Sequence, residues 1–124
     1  MDFNDNKAIY LQIASMVYEK ILSGEWKPSE RVPAVRELSI ALEVNPNTVM
    51  RTYQLLENME VINVKRGTGY FLADKAYDKV FKTMKKEFLS DQLPTLFRSI
   101  SLLKISPDEI KDMYQGYLNK NAKK

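Results

Sequence analysis

The sequence contains neither cysteine nor histidine. Without cysteine there is no disulfide, no thiolate nucleophile and no sulfur ligand for zinc. Without histidine, Ser-His and Cys-His catalytic pairs cannot be assembled, and imidazole-ligated metal sites are excluded. The 16 acids are scattered among 19 Lys and Arg with no signature motif. Hence no metal, no cofactor and no enzymatic activity is expected. No run approaches the roughly 18 apolar residues of a membrane span. The N-terminus also lacks the basic-then-apolar pattern of a secretion signal. A cytoplasmic protein with no membrane partner is the expectation.

What is present suits one compact domain, or a small domain with an appendage: 124 residues, 44% hydrophobic and 28% charged. The net charge of +3 suggests nucleic acid, but its distribution does not. Residues 1–74 carry eight Lys/Arg against ten Asp/Glu, a net of −2; residues 75–124 carry eleven against six, a net of +5. A DNA-binding reading must therefore rest on where individual charges point.

After a polar stretch at 1–7, apolar residues from Ile9 to Leu22 read as a helix, with Gly24 placed for a left-handed C-terminal cap. They lie on more than one side, which predicts cover on two faces. Trp26 to Pro33 is a connector. A short helix follows over about 34–42, with Val35, Leu38, Ala41 and Leu42 inward. Glu43-Val44-Asn45 makes a turn. Asn45 is a good N-cap, and Pro46 fits the first helical position, where its missing N–H costs nothing. The third helix is expected over about 46–59. Strand-like runs at 61–64 and 70–72 are joined by Lys65-Arg66-Gly67-Thr68-Gly69, a hairpin with two glycines. The fold class is mainly α with a small β-hairpin wing: a winged helix-turn-helix over 1–74, followed by C-terminal α-helices over 75–124.

At 100° per residue, Asn47, Arg51, Gln54 and Asn58 of the third helix fall within an arc of about 60°. Val49, Thr52, Tyr53, Leu56 and Met59 lie opposite. The stripe holds no acid, although the segment as a whole is acidic. Arg, Asn and Gln are the side chains that pair bidentately with guanine or adenine edges in the major groove. An ordinary solvated helix face is the alternative; the preceding tight turn and the basic glycine hairpin that follows weigh against it. Thr48 stands near the helix start, where hydroxyls and amides hold phosphate, and it reads equally as a small residue beside a turn. Asn45 is a cap first and a base reader second. Arg36, near the start of the second helix, is placed for a phosphate or base-edge contact. Lys65 and Arg66 suit phosphates or a minor groove, while Gly67 and Gly69, on either side of Thr68 in the wing, allow close backbone approach.

Beyond Asp74, Tyr77, Phe81, Met84, Phe88, Leu93, Leu96, Ile100 and Leu103 recur every three to five residues. They predict one long helix, or two collinear pieces with a bend before Pro94. Ser106-Pro107-Asp108-Glu109 restarts a helix with a capping box. One copy of so short a chain would struggle to bury this stripe. Its eight residues are expected to make a homodimer, with docking on the head's own core as the alternative.

The runs Ile9-Tyr10-Leu11-Gln12-Ile13, Ile21 to Gly24 with Pro28, and Val32-Pro33-Ala34-Val35-Arg36-Glu37-Leu38 resemble the GntR family of bacterial regulators. So do Val44-Asn45-Pro46-Asn47-Thr48-Val49 with Arg51, Tyr53 and Leu56, and Gly67-Thr68-Gly69-Tyr70-Phe71-Leu72. The Asn-Pro-Asn-Thr-Val run and the short C-terminal part are similar to its YtrA-like branch. The resemblance implies that Arg36, Asn47, Thr48, Arg51 and the wing at 67–69 touch double-stranded operator DNA. It also implies that the C-terminal helices dimerise, and that the gene lies beside an ABC transporter it represses. Two positions depart from the family pattern: Ala34 stands where a capping serine is usual, and Ser29 where glycine is usual. The first removes a helix cap and a phosphate contact; the second is expected to stiffen its turn. A dimeric repressor on an inverted-repeat operator is the expected function, its effector unknown. A winged-helix protein-interaction module that does not read DNA is the alternative.

Overall fold

The computed structural model describes residues 7–122. Among them six α-helices, a two-stranded hairpin and one π-helical turn succeed one another: α1 (Ile9–Leu22), α2 (Val35–Leu42), α3 (Pro46–Asn58), β1 (Ile62–Lys65), β2 (Gly69–Leu72), α4 (Ala76–Glu87), the π turn (Phe88–Gln92), α5 (Leu93–Leu102) and α6 (Pro107–Asn121). The architecture is the mainly helical, winged helix-turn-helix arrangement expected.

The chain divides into two compact units, the first ending at Met84 and the second beginning at Lys85. In the first, Ile13, Val17 and Ile21 of α1 meet Leu38 of α2 and Val49, Tyr53 and Leu56 of α3, with Val61, Ile62 and Leu72 of the hairpin region completing the core. Each such side chain withdrawn from water contributes about 1.5–3 kcal/mol. Ala76 and Val80 belong to the same buried cluster, and Met84 packs against it. Their spacing of four keeps them on one helix face. The head therefore reaches ten residues past the boundary expected at Asp74. Met84, expected to dimerise, lies on the head's own core.

Helix ends follow local chemistry. Gly24, at φ +83°, ends α1, where the Gly24 and Trp26 amides donate to the Ile21 and Lys20 carbonyls. At the start of α2 the capping box is half made: Glu37 accepts from the Ala34 N–H at 3.0 Å, but Ala34 has no hydroxyl to return. The helix-turn-helix corner is Glu43, left-handed at φ +57°, whose amide donates to the Ile40 carbonyl. Asn45 caps α3, its side chain accepting from the Asn47 N–H at 2.8 Å.

The hairpin pairs Ile62 with Leu72 and Lys65 with Gly69. A third segment joins it. The Ser29 and Val32 amides donate to the Leu72 and Tyr70 carbonyls, the Leu72 amide donates to the Glu30 carbonyl, and Arg31 bridges Phe71. Ser29 adopts φ +67°, and its hydroxyl donates to Asp74. A left-handed backbone costs a non-glycine residue roughly 1–2 kcal/mol, and this hydrogen bond offsets part of it.

In the second unit the interruption before Pro94 is the π turn. Proline donates no N–H, and its ring crowds the carbonyl four residues back. Widening the turn lets the Leu93 amide donate to the Phe88 carbonyl instead. Ser106 caps α6 by accepting from the Glu109 N–H at 3.1 Å. Among the described residues from Lys85 onward, none is buried.

Candidate nucleic-acid interface

Helix α3 separates its two faces cleanly. Val49, Thr52, Tyr53 and Leu56 are buried, whereas Asn47, Arg51, Gln54 and Asn58 are all exposed. The inner face is fixed by two buried hydroxyls. Tyr53 Oη donates to the Pro33 carbonyl at 2.6 Å, and its ring meets that of Tyr70 edge-on at 5.0 Å. Burial, with the Tyr70 and Glu37 charges added, pushes the Tyr53 hydroxyl well above the usual tyrosine range. Thr52 Oγ1 donates to the Tyr10 carbonyl at 2.8 Å and approaches the Thr48 carbonyl at 3.2 Å. These contacts hold α3 against α1 and the connector, so the outer stripe is presented from a rigid base.

The Arg51 guanidinium lies 3.9 Å from the centroid of the Tyr10 ring. Among the described residues this guanidinium has no ion pair or hydrogen bond, and the same holds for the guanidinium groups of Arg36 and Arg66. Among the described residues their side-chain donors are unspent. Arg36 is exposed on α2, Thr48 is half-buried, and Asn45 has committed its side-chain oxygen to the cap. An open cleft of about 370 Å³ between the starts of α1 and α3 is lined by Ala8, Ile9, Tyr10, Asn47, Thr48 and Arg51.

The wing turns through Arg66, Gly67 and Thr68, closed by the Thr68 amide donating to the Lys65 carbonyl at 2.9 Å. Gly67 at φ +77° and Gly69 at φ +126° occupy backbone regions that favour glycine. Lys65 lies 4.4 Å from the centre of the Phe71 ring, while Arg66 and Thr68 project freely. Sequence reasoning missed two residues here. Tyr10 reads as part of an apolar helix, and only its pairing with Arg51 gives it a second role. Arg31 looks like a solvated connector residue, yet it runs along the wing, where a Cβ on Gly69 would fall 3.0 Å from its Nε.

Residues 9–72 match the bacterial regulatory proteins of the gntR family. The chain belongs to the GntR family. It is 32% identical over 108 residues to the HTH-type transcriptional regulator YhcF of Bacillus subtilis, covering 87% of this chain and 88% of that one. It is also 36% identical over 92 residues to the HTH-type transcriptional repressor YtrA of the same organism, covering 72% and 71%. A GntR-family regulator from Listeria monocytogenes superposes with a TM-score of 0.75 at 30% identity, over 92% of this chain and 98% of that one. These relatives place it in the YtrA-like branch of transcription regulators with a winged-helix DNA-binding domain. The GntR head accounts for residues 9–72.

The dimerisation stripe expected in the C-terminal part divides by location. Tyr77 and Phe81 of α4 are exposed and stack on each other at 5.9 Å. In the second unit Phe88, Leu96 and Leu103 are exposed, and Leu93 and Ile100 are half-buried. Leu89, Phe97 and Leu102 are exposed too, and the spacing rule missed them. Among the described residues no helix is long and apolar enough to cross a membrane.

Proposed function

We propose that this chain is a cytoplasmic, homodimeric transcriptional repressor that binds an inverted-repeat operator, each head presenting α3 to a major groove. One observation carries the reading: Asn47, Arg51, Gln54 and Asn58 form an exposed, acid-free face on a helix whose other side is locked into the core. Arg36 and Thr48 flank it toward the phosphates. Asn45 stands at its start, and Lys65, Arg66, Gly67, Thr68 and Gly69 supply a wing at the neighbouring backbone. Arg31 adds a further cation along that wing.

Dimerisation is supported by the second unit, where large side chains such as Phe97, Leu102 and Leu103 lie open to solvent. So many large apolar side chains open to solvent on one short unit are unusual on a monomer surface. Repression is supported by YtrA, a repressor by its name. Genes of an ABC transporter are the first targets to test.

The decisive measurement is fluorescence anisotropy with a duplex of the chain's own upstream region and a random duplex, at two salt concentrations. Arg51→Ala is expected to lose about 1–3 kcal/mol on the upstream duplex and to relax base preference there. Equal weakening on both duplexes would move Arg51 to the phosphates. No binding at either salt would favour the protein-interaction module, to which the net charge of −2 over residues 1–74 is better suited. Light scattering after size exclusion checks the dimer; a stable monomer at micromolar concentration would sink it.

A further inference from the structure

We infer that Tyr10 is a specificity-determining residue that acts through Arg51: its ring pre-orders the guanidinium that reads the operator. This rests on the base-reading role of α3 proposed above.

Three features of the geometry support it. First, the Arg51 guanidinium carbon lies 3.9 Å from the Tyr10 ring centroid, a separation suited to stacking through the flat face of the group. Bidentate recognition of guanine uses the coplanar N–H edge instead. The two contacts are therefore compatible, and the ring holds the plane without consuming a donor. Arg51 makes no ion pair or hydrogen bond among the described residues, and the cleft lined by Tyr10, Asn47 and Thr48 leaves open space beside its edge.

Second, Tyr10 is itself fixed to the recognition helix. The buried Thr52 hydroxyl, one residue along from Arg51, donates to the Tyr10 carbonyl at 2.8 Å and thereby registers the start of α1 against α3. Ring and guanidinium are thus positioned from the same helix, one through backbone and the other through its own side chain.

Third, a long exposed arginine is otherwise mobile. It carries about 2 kcal/mol of rotamer entropy, lost on docking into a groove. A stack that orders it beforehand lowers that loss for the one duplex that matches its geometry. Non-specific binding, which asks only for nearby positive charge, gains little.

The experiment compares the full chain with its Tyr10→Leu and Tyr10→Phe variants by anisotropy on the upstream and random duplexes, and by NMR of the free proteins. Wild type and Tyr10→Phe are expected to show upfield ring-current shifts at the Arg51 side chain; Tyr10→Leu is expected to lose them. Tyr10→Leu should reduce the upstream-to-random affinity ratio about threefold to tenfold, with an unchanged slope in salt, while Tyr10→Phe stays within about twofold of wild type. A merely structural role would instead weaken both duplexes together and lower the melting temperature. If wild type discriminates and Tyr10→Leu discriminates equally well or better, the stack adds nothing to base reading or competes with it, and the inference is overturned alone. If wild type does not prefer the upstream duplex, the base-reading role falls with it, and the shifts at Arg51 still report whether the stack exists.

Discussion

Replacing Tyr53 by phenylalanine removes one oxygen from the centre of the head and nothing else. The ring fills the same volume, so no cavity opens, and the edge-on contact with Tyr70 at 5.0 Å is retained. What disappears is the 2.6 Å hydrogen bond to the Pro33 carbonyl, which accepts from no other donor among the described residues. A hydrogen bond is worth about 0.5–1.5 kcal/mol net, and an orphaned buried acceptor costs about 1–3 kcal/mol. The expected loss is therefore about 1–3 kcal/mol, against about 3–5 kcal/mol for the cavity left by Tyr53→Ala. Urea denaturation followed by circular dichroism should show a lower midpoint with an unchanged slope.

The same substitution has a signature in alkali. Because the folded hydroxyl titrates above its unfolded value near 10, the tyrosine's stabilisation is complete below that pH. Above it the unfolded chain releases a proton that the folded chain retains. Stability then falls, by up to about 1.4 kcal/mol per pH unit from this group. Tyr53→Phe removes that component, so wild type should lose stability faster than the variant above pH 10. DNA affinity should be unchanged wherever both proteins are folded, since the hydroxyl faces away from the exposed stripe. A variant as stable as wild type, with the same alkaline slope, would refute the reasoning.

Glu43→Gly relieves a left-handed backbone at the helix-turn-helix corner. Set against the greater freedom of glycine in the unfolded chain, a net stabilisation of about 0.5–1 kcal/mol is expected as a higher urea midpoint. The Glu60 carboxylate is held below its ordinary value by its hydrogen bond to Lys79 at 2.7 Å, then by that ammonium's charge. Its contribution is present above pH 4.5 and lost as the pH falls below that, so Glu60→Gln should flatten the acid limb of the stability curve. A limb of the same shape would remove the pair from the account. Arg66→Ala should weaken DNA binding with a salt dependence shallower by about one unit of slope if one phosphate contact is lost; an unchanged slope would take the wing tip off the backbone.

The head was legible because its signals are local. Ile9–Leu22 appears as read, ended by Gly24, and the Asn45-Pro46 pair starts α3 where capping chemistry says it should. The polar stripe was legible because a 3.6-residue period separates Asn47 and Arg51 from Val49 and Tyr53. Contacts between distant segments were not. No periodicity shows that Arg51 lies on Tyr10 or that Arg31 runs beside Gly69, since each depends on how two elements cross. The spacing from Tyr77 to Leu103 reads as one apolar face. Of its first three members Met84 packs against the core, beside Ala76 and Val80, whereas Tyr77 and Phe81 stay exposed, and a spacing of three to five residues does not tell these apart. The π turn was foreseen only as a disturbance before Pro94.

The pairing of the connector with β2 bears on how such heads can be recombined. Ser29, Glu30 and Val32 exchange backbone hydrogen bonds with Tyr70 and Leu72, so the strand that leads into α2 and the strand that ends the wing are one piece. A wing grafted from a relative as 62–72 alone would arrive without the edge it was shaped against. A chimera that carries 29–32 along with it keeps the pairing intact. Swapping the tip at 66–68, which hangs beyond this seam, should be tolerated in either case.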